Sequence, residues 1–415
     1  MPPKKVDPLY GWVLVGVGTT IIAIINGSFY SYGVFFKPLL QDFGWSRAEL
    51  SGPVSLRLAA TGIFGIIAGA IVDRAGPRVV VPAGVLLVAV GYALTSRVTG
   101  IWEMYLYMGL IIGVGMSVPY PALTALISRW FTARRGLAMG IVLAGFGLGQ
   151  IIFPPLVTRW IVAYSWQTAF INLALIAGLC GVPLGLLLKV PGKEKMLPLK
   201  GPFGSDPPTG WQQKSNEGAF KDGLRSHALW QISLVYLLFS ACLQALMVHL
   251  VPHAIDVGIK PLAASVLIGV IGAANVAGRI TGGGFSDKLG TRRILILSLI
   301  TSGLALLALC FTKSFWGLYF IAGVYGLGYG GISITVPKLA SEYFALSSLG
   351  VIIGIVQLAF AAGGAIGAPL AGYIFDRTNS YVLAFAVLFI LLAVAFVLSL
   401  SLHPPRRPVV SEIPD

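Results

Sequence analysis

Twelve apolar runs, each long enough to cross a lipid bilayer, govern what this chain can fold into. A spanning α-helix needs about 20 mainly apolar residues. The runs fall at roughly 10–36, 50–72, 78–96, 101–128, 135–158, 164–189, 227–252, 261–285, 291–312, 315–342, 348–375 and 381–402. Lipid supplies no hydrogen bonds to a bare backbone, so each run is predicted to be a helix. The longest polar break, 190–226, separates six runs from six. The expected fold is an all-α membrane protein of twelve transmembrane helices in two six-helix bundles, 1–189 and 227–415, joined by a linker at 190–226.

Composition excludes the main alternatives. Hydrophobic residues make 56% of the 415 and charged residues only 11%, with mean hydropathy +0.86. A soluble domain carries about a quarter charged residues. The three cysteines, Cys180, Cys242 and Cys310, lie in apolar runs, which does not suit a disulfide scaffold. The formal charge of +14 is spread between the runs, so it reports membrane orientation rather than nucleic-acid binding. MPPKKVDPLYGW at the start lacks a small-residue cleavage site, so the first run is expected to remain as a helix.

With both termini cytoplasmic, 20 of the 29 Lys and Arg fall on the cytoplasmic side, including Lys4, Lys5, Arg134, Arg135, Arg292 and Arg406. Seven face outward: Lys37, Arg47, Arg97, Arg159, Lys260, Lys313 and Arg377. Arg57 and Arg279 lie inside spans. The positive-inside rule selects this orientation, in the cell (inner or plasma) membrane.

An internal repeat divides the chain. GAIVDRAGPR at 69–78 and GGFSDKLGTR at 283–292 share G-x-x-x-D-[RK]-x-G-x-R at an offset of 214, pairing Asp73 with Asp287 and Arg78 with Arg292. Arg74 and Lys288 fill the basic position. The same offset pairs Gly140 with Gly354, Gly149 with Gly363 and Pro155 with Pro369. Two pseudo-symmetric six-helix halves follow, related by an axis along the membrane normal. The glycines are expected to make tight turns, and each Asp to accept from the Arg and from a neighbouring helix N-terminus.

That loop pattern resembles the signature of the major facilitator superfamily. The resemblance implies a major facilitator fold and a gate role for Asp73, Arg74, Arg78, Asp287, Lys288 and Arg292. A narrower resemblance rests on YGW at 10–12, GVFFKPLLQDFGWSRAELS at 33–51 and WFTARRGLAMGIVLAGFGLG at 130–149. These are similar to the monocarboxylate transporter family and the related oxalate–formate antiporters. The resemblance implies carriage of small carboxylates such as lactate or pyruvate, often with a proton.

Ionisable residues at bilayer depth are expensive and mark function. Arg279 lies in VIGAANVAGRITGGG, with no acid elsewhere in that span before Asp287. An unpaired guanidinium there needs an anion, and a carboxylate fits its fork. The family resemblance places a carboxylate-binding Arg at this position. Asn275, one turn earlier, shares its face. Many family members have an acid there, so the family's proton carrier does not carry over. Tyr30 stands where the animal carriers have a functional Lys, and Phe360 where the oxalate carriers have a second basic residue. One cation in the cavity favours a monocarboxylate, because burying an unpaired second charge is very costly.

Depth selects the remaining wall. Tyr120 reaches the level of Arg279 and could donate to the bound carboxylate. Tyr329 and Phe360 could close an apolar pocket. His249 is a candidate to bind substrate or carry the proton. Ser28, Asn26, Tyr32 and Leu143 are weaker candidates, and Arg57, near the outer end of its span, is expected to snorkel. Glu103 and Asp256 fall near outer ends. Lys338 and Glu342, four apart, are predicted to pair on one helix face. GGAIGAPLAG at 363–372 reads as helix packing.

The expected protein is a secondary transporter of small monocarboxylates, with proton symport by alternating access. No cofactor is expected beyond the coupling proton, a monomer suffices, and the partners are the substrate, the proton and the bilayer. An anion exchanger and a transport-inactive carboxylate sensor are the alternatives. No Cys/His metal spacing, G-x-S-x-G elbow or P-loop appears, so an enzyme is not expected.

Overall fold

The computed structural model describes residues 8–131, 134–190, 226–344 and 349–402. The linker beyond 190 and the terminal residues Lys4, Lys5 and Arg406 lie outside these, as do the side chains of Asp73 and Arg135. The described chain forms α1 (Pro8–Tyr30, continuing as Tyr32–Phe43), α2 (Arg47–Ala75), α3 (Pro77–Thr95), α4 (Ile101–Trp130), α5 (Arg135–Ala163), α6 (Trp166–Leu186), α7 (His227–Asp256), α8 (Pro261–Leu289), α9 (Thr291–Leu309), α10 (Phe315–Tyr343), α11 (Leu349–Thr378) and α12 (Val382–Leu400). All twelve predicted runs are helical. Eleven described helices are long and apolar enough to cross a membrane; the twelfth, α2, carries Arg57 among Ser, Thr and Gly.

Local chemistry sets the helix ends. Ser46 and Glu49 form a reciprocal capping box at the start of α2, which satisfies two otherwise orphaned N–H groups. Gly76 and Gly290, 214 apart, turn the chain between α2 and α3 and between α8 and α9 at φ +79° and +91°. Only glycine adopts such angles without strain, so the turns expected from the repeat are present.

The two halves pack alike. In each, the first helix lies against the fifth (α1 on α5, α7 on α11) and the second against the fourth (α2 on α4, α8 on α10). Close contact depends on absent side chains. A Cβ on Gly149 would run into the Ala23 carbonyl, and one on Gly363 into the Leu237 carbonyl. Ala23 and Leu237 are themselves 214 apart, so the repeat is a repeat of packing. Gly367 meets the Ala241 carbonyl in the same way, which accounts for the glycine run in α11.

Across the halves, α2 packs on α11, α5 on α8 and α1 on α7, while α4 and α10 pack within their own halves. One end of the interface is latched. There Asp256 of α7 takes Lys37 of α1 in an ion pair and accepts from Arg47 Nη2 at 2.7 Å. Asp376 of α11 accepts from the backbone N–H groups of Arg47 (3.0 Å) and Ala48 (2.9 Å), an acid seated on a helix N-terminus. Arg47 also donates to the Tyr381 hydroxyl and lies 3.6 Å from the Phe375 ring centroid. Arg47 is thus buried in the interface between the halves rather than solvated. This latched end lies opposite the end where the described chain begins and stops.

Gly363→Val is expected to lower stability by about 1–3 kcal/mol or more through overpacking, seen as a lower melting temperature in detergent. Gly140→Ala, with nothing within 4 Å of its Cβ among the described residues, should change little. Asp256→Asn removes the acceptor of two cations and should loosen the latch. A Ser51→Cys probe, buried beneath it, should then react several-fold faster with a membrane-impermeant maleimide than in the parent.

Candidate functional site

The helix that carries Arg279 is held against α10 by backbone contact. A Cβ on Gly330 would meet the Arg279 amide at 2.7 Å. This fixes where the guanidinium starts. Arg279 lies four residues past the centre of α8, about 6 Å along the axis, half-buried and facing between the halves. Its Nε is buried and makes no hydrogen bond, and among the described residues no acid pairs with it. One turn back, Asn275 is 3% exposed and its amide Nδ2 is likewise without a partner. Two buried donors one helical turn apart, both unsatisfied, describe a vacancy for an acceptor; buried polar groups are otherwise bonded.

Aromatic hydroxyls surround this vacancy. The phenols of Tyr30, Tyr120 and Tyr236 all lie within electrostatic range of the Arg279 guanidinium. Tyr120, on α4 of the other half, is 44% exposed and packs edge-on against Phe146. The Tyr30 hydroxyl stands beside that of Tyr329. Phe360 lies 4.6 Å from Tyr236, and Phe239 bridges to Tyr329 at 5.8 Å. The structure places Arg279, Asn275, Tyr120, Tyr329 and Phe360 in one region between the halves. Leu143 is half-buried on α5. Tyr236 was not foreseen; its signal was a tyrosine in a span otherwise read as packing.

Several expectations are corrected. His249 is not at this site. It is fully buried under the latch, where Nε2 faces the Ala368 carbonyl at 2.8 Å and Ser51 at 3.2 Å. A carbonyl only accepts, so Nε2 carries the proton and Nδ1 accepts from Tyr381 at 2.9 Å. Tyr381, just before α12, keeps its proton: burial pushes its phenol up, against the pull of Arg47. His249 is thereby held neutral between the halves and is structural in this state.

Ser28 donates to the Ile24 and Ile25 carbonyls of its own helix, and Asn26 to the Ile22 carbonyl. Tyr32 donates to Leu50 at 2.6 Å, tying α1 to α2. Ser28 and Tyr32 thus spend their single hydroxyl donors, and Asn26 one of its two N–H groups, on the backbone. Arg57 does not snorkel. Because α2 begins earlier than predicted, Arg57 lies in its third turn and is 3% exposed.

The gate loops also differ from expectation. Asp287 pairs with Lys338 of α10, not with Arg292. Lys338 further donates to Ser286 at 2.8 Å, while Glu342 accepts from Thr291, so the predicted Lys338–Glu342 pair gives way to contacts that tie α10 to α8 and α9. Arg292 donates to the Ser399 and Leu400 carbonyls at the end of α12. Arg74, Arg78 and Lys288 are exposed. These described loop contacts stay within the second half, at the unlatched end.

A sequence model of the Major Facilitator Superfamily matches residues 18–288 and 254–415. Monocarboxylate transporter 13 of Rattus norvegicus is 29% identical over 384 residues, covering 92% of this chain and 86% of the relative. Monocarboxylate transporter 11 of Homo sapiens is 26% identical, covering 92% and 81%. An agnestins efflux protein of Paecilomyces divaricatus is 27% identical, covering 87% and 80%. Among solved structures, a bacterial homologue of the human lysosomal transporter Spinster, inward-facing and unoccupied, superposes with TM-score 0.76 at 15% identity over 94% of this chain and 97% of that one; the likeness is one of fold. With the match running through both halves, the chain belongs to the Major Facilitator Superfamily and is a multi-pass membrane transporter rather than an enzyme.

Proposed function

We propose that this protein carries small monocarboxylates, such as L-lactate or pyruvate, across the cell membrane by alternating access, with a proton. The observation that carries the reading is the pair of unsatisfied buried donors, Arg279 Nε and Asn275 Nδ2. A planar carboxylate can accept from both. Tyr120 and Tyr329 supply further hydroxyls, and Phe360 an apolar wall for a short alkyl group. The names of the relatives support an organic anion as cargo. With both termini cytoplasmic, as the basic residues favour, the latched end is the outer gate and the vestibule beside Tyr120 opens inward. Release of the latch and closure between α4 and α10 would then expose Arg279 to the other side.

Anion exchange is the second reading. It is favoured by one feature: among the described residues no acid faces Arg279 to carry the proton, and Asn275 occupies the position one turn away.

Arg279→Ala should lower lactate uptake into proteoliposomes at least about 30-fold, the equivalent of roughly 2 kcal/mol for an unpaired charge contact. Asn275→Ala should lower it about threefold to tenfold. Full uptake by Arg279→Ala would refute the site. For coupling, external pH 6 against internal pH 7.5 should accelerate uptake several-fold over equal pH. Proton supply enters as a co-substrate, so lower external pH raises the rate. Uptake indifferent to the gradient but dependent on carboxylate loaded inside would establish exchange instead.

A further inference from the structure

A second guanidinium is buried in this protein, and among the described residues no acid matches it. Arg57 is 3% exposed in α2, lies 3.2 Å from the Phe29 ring centroid, and directs Nη1 at the Met116 sulfur, 3.4 Å away. Its Nε is buried and makes no hydrogen bond. Among the described residues no carboxylate pairs with it. Its polar neighbours are the phenols of Tyr30 and Tyr92. A cation on an aromatic face recovers part of its lost hydration, but an apolar side chain of the same length would fold there more easily.

Tyr30 connects this charge to the central vacancy. It is the last residue before α1 is interrupted at Ser31, and it packs on Phe29 at 5.0 Å. It is the phenol that lies within range of both Arg57 and Arg279, beside Tyr329. A guanidinium behind a phenol draws charge from the oxygen and makes its O–H a stronger donor. A guanidinium offers no acceptor, so the Tyr30 O–H is left to be shared between the Tyr329 hydroxyl beside it and an acceptor at Arg279.

We propose that Arg57 is a positioning residue for anion binding: it aims and strengthens the Tyr30 hydroxyl as the first half's donor to the carboxylate held by Arg279, and is kept there at a cost in stability. The proposal rests on the carboxylate reading of the Arg279 site. It separates affinity from folding. Arg57→Met should leave the melting temperature unchanged or raise it, while raising the Kd for lactate roughly tenfold, the value of one charge-assisted hydrogen bond. Arg57→Lys should stay within about threefold of the parent in Kd. Tyr30→Phe should weaken binding to a similar extent, and the Tyr30→Phe, Arg57→Met pair should bind no more weakly than the worse single variant, because both remove one interaction. Lactamide, a neutral analogue, should lose less than lactate in Arg57→Met.

An unchanged lactate Kd in Arg57→Met would overturn the proposal. So would fully additive losses in the pair, or a lowered melting temperature or loss of folded protein in Arg57→Met, since each would assign Arg57 to packing. Arg279→Ala, measured in parallel, distinguishes the failures. If it still binds lactate, the carboxylate site itself is misplaced. If it is silent while the Arg57 and Tyr30 variants bind like the parent, only the role of Arg57 fails.

Discussion

A guanidinium placed among apolar helices must find an acceptor, and among the described residues two of them, Arg57 and Arg279, have no carboxylate paired with them. Desolvating a cation without a partner costs several kcal/mol even after relaxation, so a chain under no other demand would replace it. The backbone at Arg279 packs directly on Gly330, so the base of its side chain is set by the contact between α8 and α10. Its neighbours are hydroxyls and an amide, groups that can join it in binding an anion but cannot neutralise it. Among the described residues the site thus holds neutral dipoles and no anion to match the guanidinium, which is the observation the carboxylate proposal rests on.

The latch and the vestibule follow from the same two-fold repeat. Each half is rigid because its first and fifth helices meet at glycines facing backbone carbonyls, Gly149 on Ala23 and Gly363 on Leu237. Rigid halves move as bodies. What holds them together at one end is mostly polar: Asp256 and Asp376 from the second half grip Lys37, Arg47 and the N-terminus of α2 from the first. The partly exposed Lys37–Asp256 pair exchanges cheaply for hydration, and the buried Arg47 regains its hydration when the latch opens. At the other end Asp287, Lys338 and Arg292 bind within one half, and the interface there is free to part.

Much of this was legible in the sequence, for physical reasons that differ by feature. The helices and their number were readable because lipid imposes a length and a polarity on every span. The two halves were readable because the glycines that permit close packing recur at one offset. Arg279, Asn275, Tyr120 and Phe360 converge because depth along a helix is fixed by rise per residue, and the charge was conspicuous in its span. What failed was rotation and partner choice. His249 has the right depth for neither vestibule nor substrate, yet nothing in its flanking residues announces Tyr381, 132 positions away. Lys338 and Glu342 are neighbours on one helix, but a tertiary partner, Asp287, outcompetes the local pair. Arg57 was expected to snorkel from within its span because the helix was taken to start at 50 rather than at Arg47, which set it nearly a turn closer to the outer end.

The charge on Arg279 also decides how costly the empty carrier is. On the carboxylate reading proposed above, a loaded site would be neutral at Arg279, and an empty one would pass through occlusion as a bare cation. A neighbouring acid would remove that cost by pairing with the guanidinium when the cargo leaves, and by taking up a proton when it returns. Asn275 can do neither. The described groups that can ease the bare charge are the phenols of Tyr30, Tyr120 and Tyr236, whose oxygens solvate a cation without neutralising it. On that reading, the balance between proton-coupled cycling and one-for-one exchange would rest on how well three tyrosines substitute for water. If they solvate the guanidinium poorly, the empty protein stalls and only exchange turns over; if they solvate it well, net transport runs with Asn275 in place of an acid.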